Sequence, residues 1–346
     1  RMIMKNIIFI LLIGSLFFYC QHKSKKNDYT PKLNEKEINK IHQTIDVDIL
    51  RYDKALFSLD RSQVTNELLK LQKDYSFFIR ENPTTSENIE RLLTFMNDNL
   101  NQELYKDVQK QFPDLSSMEK DFNSAFTLIK YHFPQAVIPK IYSAILGLSY
   151  EYPIIYEDSV LVIALDMYLG SNYKNYKRLG NLVPHFIIRR FTKEYILRDC
   201  MKIISYDYIK FDKNATTLLD EMIFEGKRWM FAELMLPSTH DSIIAGYSLE
   251  KLQWTQNNEL NIWTYLIDKE YLYSNDNILI RKFIYDAPFT ATFGNVSPGQ
   301  IGAWLGWQIC RSWIKQNPEK KISELMTETN AQKILKESKY KPKKGN

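Results

Sequence analysis

Apolar residues recur at helical spacing through most of the chain. Within residues 61–79, Val64, Leu68, Leu71, Tyr75 and Phe78 follow a 3.6-residue period. Residues 46–59, 86–100 and 114–131 carry the same signal, predicting a helical N-terminal half filled by Phe, Tyr and Leu. The pattern then changes. Residues 140–148 (KIYSAILGL) and 159–167 (SVLVIALDM) are apolar runs rich in β-branched residues and read as strands. They flank a Pro-containing aromatic connection over 150–158. Helices resume at 184–209 and 214–235, the second with Leu218, Leu219, Met222, Ile223, Trp229 and Met230 on one side and Pro237 closing it. Ser297-Pro298 reads as an N-cap followed by Pro at the first helical position. Ile301, Leu305, Ile309 and Trp313 recur behind it, and a last helix covers 322–335. The fold class this predicts is α+β, mainly helical, with a small central β-sheet. No linker or repeat interrupts residues 46–342, which read as a single domain.

The start of the chain carries a different signal. Residues 7–19 (IIFILLIGSLFFY) are uncharged and follow a short basic start. The run is shorter than the about 20 residues a spanning helix needs. It has the length of a signal-peptide core, so residues 1–19 are excluded from the fold. Cys20 follows immediately. The arrangement resembles a bacterial lipoprotein signal, although Phe18 and Tyr19 stand where small residues are usual. Cys20 is therefore the expected lipidation site. Its acyl chains, at roughly 0.8 kcal/mol per buried methylene, would hold the protein on a membrane. Residues 20–45 read as a lipidated polar tether. The expected location is the cell envelope, facing the periplasm from the inner or outer membrane. Cys200 and Cys310 lie in helical segments without partner spacing and are expected as buried free thiols.

Composition narrows the class. With 45% apolar, 14% aromatic and 25% charged residues, the 346-residue chain is neither disordered nor a polytopic membrane protein. Gly (11) and Pro (12) are too scarce for a barrel or repeat array built on many tight turns. The net charge of +5 resides largely at the two ends, so nothing points to nucleic acid.

Familiar chemical motifs are missing: there is no GxGxxG, Walker A loop, GxSxG or Cys/His zinc spacing. The five histidines, His22, His42, His132, His185 and His240, are too dispersed to place two ligands on one helical face. His185 reads as a structural or capping residue. Glu221 and Glu225 lie one turn apart beside Asp220, and without a partnering His they read as a solvated acidic face rather than a metal or proton site. Ser117 to Lys120 matches SxxK by type only. Tyr150, Tyr152, Tyr156 and Trp304 are a candidate carbohydrate or peptide groove, set against core packing as the commoner fate of aromatics. Gly299, Gly302 and Gly306 form a strip that another helix backbone could approach.

Several segments together resemble the gliding motility-associated lipoprotein B family, GldB, of the Bacteroidetes. They are the lipoprotein-like start, LLDEMIFEGK (218–227), GYSLEKLQW (246–254), DAPFTATF (286–293), SPGQIGAWLGWQICRSW (297–313) and SKYKP (338–342). The resemblance implies a membrane lipoprotein of the gliding apparatus and its associated type IX secretion route, with machinery proteins as partners and no enzymatic activity. More distantly, the C-terminal half, about 140–340, is similar to zinc-peptidase-like (zincin-like) domains, in which HExxH on one helix precedes a Glu-Gly on a second. Glu225-Gly226 would occupy the second position. Arg198 and Lys202 would then replace the two histidines, and Asp199 the general-base glutamate. Such a site is degenerate: cations would repel Zn²⁺ and could pair with Glu225 instead, and the zinc-activated water would be lost. The expectation is a non-catalytic interaction component with no metal and no cofactor. The alternatives are an active, metallopeptidase-like envelope hydrolase and a periplasmic glycan- or peptide-binding lipoprotein.

Overall fold

The computed structural model describes residues 33–342 except 80 and 215. The expected signal peptide and the expected lipidation site Cys20 lie outside the described residues, as do the last residues of the basic tail. Residues 33–45, read from sequence as part of the tether, carry a helix, α1 (Glu35–His42), capped by Asn34. His42 Nδ1 lies 2.9 Å from Thr127 Oγ1, and the Asn34 N–H donates to the Tyr131 hydroxyl at 3.2 Å. This end of the segment is therefore docked on the fold rather than free of it.

The N-terminal half runs through β1 (Ile49–Arg51), α2 (Tyr52–Phe57), α3 (Val64–Asp74), α4 (Ser86–Asn97), α5 (Asn99–Gln111) and α6 (Ser116–His132). The helix expected over 46–59 is a correction: its first half is a strand. Ile49 to Arg51 pair parallel with Ile141 to Ser143. A further helix, α5, was not expected, although Leu104 and Val108 bury its inner face and Asp98 caps it.

The sheet is completed by β2 (Lys140–Ala144), β3 (Ile154–Glu157) and β4 (Val160–Ala164), in the order β1-β2-β4-β3. β2 and β4 are parallel, and β3 returns antiparallel along β4. Alternate residues leave opposite faces of a strand. Ile141, Leu161 and Ile163 enter the main core, while Tyr142 and Val162 enter a smaller one with Tyr52, Leu56 and Met96. The sheet is thus a partition with apolar packing on both sides. Asp166, beyond β4, is fully buried and accepts the N–H groups of Leu146 (3.1 Å) and Leu148 (2.7 Å). That contact ends β2 before the expected 148.

The helix expected over 184–209 is broken. It becomes α7 (His185–Ile188) and α8 (Ile196–Ile204), because the Gly170 N–H takes the Phe191 carbonyl (2.9 Å) and Thr192 bridges Leu169. The remainder comprises α9 (Leu218–Met235), α10 (Asp241–Ala245), α11 (Leu249–Asp268), α12 (Asn277–Ile284), α13 (Ile301–Gln316), α14 (Ile322–Thr327) and α15 (Ala331–Ser338). A reciprocal cap between Thr217 and Asp220 starts α9. Helices α9 and α13 form the centre of the main core. Trp307 packs edge-on against Trp229 (5.7 Å) and Trp304 (5.4 Å) between them. The glycine strip performs its expected task there: Gly306 lies on the backbone of Met222, and Gly302 on Ile284 and Met222. Ser297 does not cap α13. Its buried hydroxyl accepts the Thr290 N–H (3.1 Å) and binds the Gly294 carbonyl (2.6 Å), closing a loop, and the helix starts at Ile301 behind Gln300 in the left-handed region (φ 54°). Cys200 and Cys310 are buried free thiols.

Candidate functional site

Helix α8 places Arg198 and Lys202 one turn apart, on the side toward α9. Arg198 is 5% exposed. Its Nε donates to the Ile244 carbonyl (3.1 Å) and its Nη1 to Asp199 (2.6 Å), while Nη2 is buried without a hydrogen-bond partner. The other Asp199 oxygen accepts the hydroxyl of buried Tyr168 at 3.0 Å. Burial pushes the Lys202 amine well below the usual lysine range, and the cations Arg198 and Arg228 add to the effect. Its Nζ sits 5.6 Å from the ring centre of Trp229.

Glu225 projects from α9, held in place because the next residue, Gly226, touches the α13 backbone. Its ion pair is with Arg228 on its own helix, at 2.6 Å. Arg228 in turn covers Tyr206 at 4.3 Å. The pairing expected from sequence, Glu225 with Arg198 or Lys202, is therefore corrected: Arg198 is taken by Asp199, and Lys202 contributes only attraction at a distance. An i,i+3 partner on the same helix reaches the carboxylate first. Glu221 is half-buried rather than solvated, and burial with Glu225 nearby raises its pKa.

These side chains do not make a zinc ligand set. Two are cations, and both carboxylates are already bound by arginines. Zinc needs neutral imidazoles, thiolates or free carboxylates. Among the described residues, no group of three His, Cys, Asp or Glu side chains converges to hold a metal ion.

The four aromatics named as a groove are not brought together as one. Trp304 is 1% exposed, stacks on Tyr247 and donates Nε1 to Glu259 at 3.1 Å. Tyr156, on β3, donates its hydroxyl to Asp207, and Tyr152 is exposed. The tryptophan is part of the core because helix α13 has no solvent-facing side at that turn.

A cleft of about 420 Å³ lies close by, lined from 184–189, 245–251, 286–288 and 298–300. Arg189 spans it, donating to the Gly246 carbonyl and, at 3.2 Å, to the Tyr195 hydroxyl. Lys251 donates to the carbonyls of Pro288 and Ser297, clamping two walls together. Partial burial and Arg189 lower the pKa of that amine. Asp286 is ion-paired with Arg190. The Tyr247 hydroxyl ties the floor to the Gly299 carbonyl at 2.8 Å. The cleft adjoins the α8 cluster, since a methyl on Gly246 would lie 3.0 Å from Arg198 Nη2. Sequence reasoning missed it, yet a signal was present. In a chain poor in Gly and Pro, Pro184, Gly246, Pro288, Pro298 and Gly299 all converge here.

A family model described as "Gliding motility protein GldB" matches residues 32–342, which include both the cluster and the cleft. No curated protein and no solved structure matches the chain.

Proposed function

The chain belongs to the gliding motility protein GldB family, and on that footing we propose that it is a lipid-anchored envelope component that binds protein partners without hydrolysing them. The observation that carries the reading is the donor set between α8 and α9. At the positions that the sequence resemblance would assign to a metallopeptidase site, cations stand in the metal-ligand places and each carboxylate serves an arginine. A carboxylate so engaged is a poor general base. The peptidase-like scaffold then acts as a shaped surface beside the cleft. The partners we infer belong to the gliding apparatus and its type IX secretion route.

Attachment through an acylated Cys20 completes the proposal. Among the described residues no helix is long and apolar enough to cross a membrane, which is compatible with a lipid anchor.

Deleting the gene is expected to abolish spreading on agar, while Glu225→Gln and Asp199→Asn chains that still fold restore it. Elemental analysis of the purified full chain is expected to give no stoichiometric zinc. One tightly held zinc per chain, or loss of spreading in a Glu225→Gln strain with normal protein level and unfolding midpoint, would overturn the reading. Cys20→Ala is expected to move the protein from the membrane to the soluble fraction.

A further inference from the structure

We propose that the cleft between α7, the α10–α11 turn and the start of α13 receives an acidic segment of a partner polypeptide. This rests on the non-catalytic binding reading and names the chemistry of the ligand.

Charge is the first argument. Arg189 and Lys251 line the cleft, and Arg190 and Arg198 stand behind the Gly246 wall. Two carboxylates oppose these four cations: Asp286 on Arg190 and Asp199 on Arg198. The wall is left with an excess of two positive charges. Lys251 uses two of its three ammonium protons on carbonyls, so one is available.

The second argument is independent. Arg198 is 95% buried, being 5% exposed, and its Nη2 has no partner although it lies against Gly246 on the cleft wall. Nε and Nη1 are bound to Ile244 and Asp199, so it is the Nη2 group, behind the Gly246 wall, whose N–H field has no acceptor and favours an anion on the other side of that wall. Helix α13 adds to the field, because its first turn has no side-chain cap and points its partial positive charge at the same place.

Shape and surroundings select the polypeptide. Phe186 and Tyr247 line it together with the rigid residues Pro184, Pro288 and Pro298. Exposed Leu249, Tyr285 and Phe289 each adjoin a lining residue in sequence. Carboxylates flanked by apolar side chains match this combination of a cationic recess and an apolar margin.

Ser248 offers a test that spares the fold. It caps α11 through the Lys251 N–H (3.2 Å) and lines the cleft. Asp and Asn cap as well as Ser does, so Ser248→Asp adds a negative charge where Ser248→Asn adds none. The full chain in detergent would be titrated, by fluorescence anisotropy, with a labelled dodecapeptide of alternating glutamate and serine carrying one central phenylalanine. The same peptide with glutamine for glutamate is the control. The acidic peptide is expected to bind at least about tenfold tighter than its control, and Ser248→Asp, not Ser248→Asn, to remove that advantage. Equal binding of the two peptides, or equal behaviour of the two variants, overturns the proposal. So does capture of phosphatidylglycerol vesicles with the same Ser248 dependence in place of the peptide. Cleavage of the peptide, read by mass spectrometry, would instead defeat the non-catalytic reading while the anisotropy still judges the cleft.

Discussion

Gly226 on α9 and Gly306 on α13 meet backbone to backbone. A methyl on Gly226 would come closer than 3.0 Å to the Gly306 carbonyl and the Trp307 N–H, and one on Gly306 closer still to the Met222 carbonyl. Real Cβ atoms essentially never approach so closely, and no flexible side chain is there to yield. Gly306→Ala is therefore expected to force the helices apart and cost about 1–3 kcal/mol or more. Urea unfolding followed by tryptophan fluorescence reads it directly, since Trp229, Trp304 and Trp307 all border the crossing. A change below about 1 kcal/mol would mean the crossing is looser than described.

Arg311 ties α13 to its neighbours. It donates to Glu233 at 3.0 and 2.9 Å, to Asp241 at 3.0 and 2.7 Å, and stacks 3.7 Å from the Trp307 ring centre. The two carboxylates raise its pKa against the opposing effect of burial. Arg311→Leu leaves both acids poorly compensated and is expected to lose about 3–5 kcal/mol. Arg311→Lys should recover less than half, because an ammonium cannot serve both acids with paired N–H groups or stack flat on the indole. Denaturation midpoints of the two variants decide between charge and geometry.

His132, at the end of α6, has its pKa lowered to about 4 by burial. Its unfolded value is near 6.5. The folded state thus binds fewer protons between those values, so stability is full above about 6.5 and falls as the pH drops toward about 4. The loss is at most about 3.4 kcal/mol. His132→Phe should flatten the fall in unfolding midpoint between pH 6.5 and 4. An unchanged pH profile in that variant would assign the acid sensitivity to other groups.

Glu259 on α11 is partly buried, and the loss of solvent around its carboxyl raises its pKa. It accepts Trp304 Nε1 at 3.1 Å and the Tyr340 hydroxyl at 2.7 Å. The chain end beyond α15 is fastened by this bond and by Trp263 packing edge-on to Tyr340 at 5.1 Å. Tyr340→Phe keeps the ring and removes one donor from a partly buried acid, an expected cost of about 1–3 kcal/mol. Limited proteolysis should then cut the C-terminal residues faster, while a Trp263→Ala chain loses the ring contact but keeps the hydroxyl.

Much of this architecture was legible along the chain. Ile301, Leu305, Ile309 and Trp313 announced α13, and the apolar runs announced β2 and β4, because burial of a regular element imposes its own period on the residues that form it. The GldB segments were equally readable. Misreadings fell where long-range contacts override local preference. Ile49–Arg51 carries a pattern compatible with helix and becomes a strand only because β2 offers it a parallel edge. Pro153 concealed β3, which pairs with β4 just beyond it. The break at Phe191–Thr192 exists because Gly170, far upstream, needs a carbonyl.

For the candidate site the division is sharper. The sequence by itself supplied the residue types: cations at 198 and 202, acids at 199 and 225, and Gly and Pro grouped in a few turns. It also supplied the glycines that let α9 and α13 touch. The pairs Arg198–Asp199 and Glu225–Arg228 are local to their helices, whereas the pairing of Arg190 with Asp286, and the closing of four distant turns around one cationic cleft, were decided by tertiary structure. Periodicity is a property of neighbours within a few residues, whereas a cavity, or an ion pair such as Arg190–Asp286, depends on distances between segments tens to a hundred residues apart. No local pattern encodes those distances until the helices have packed.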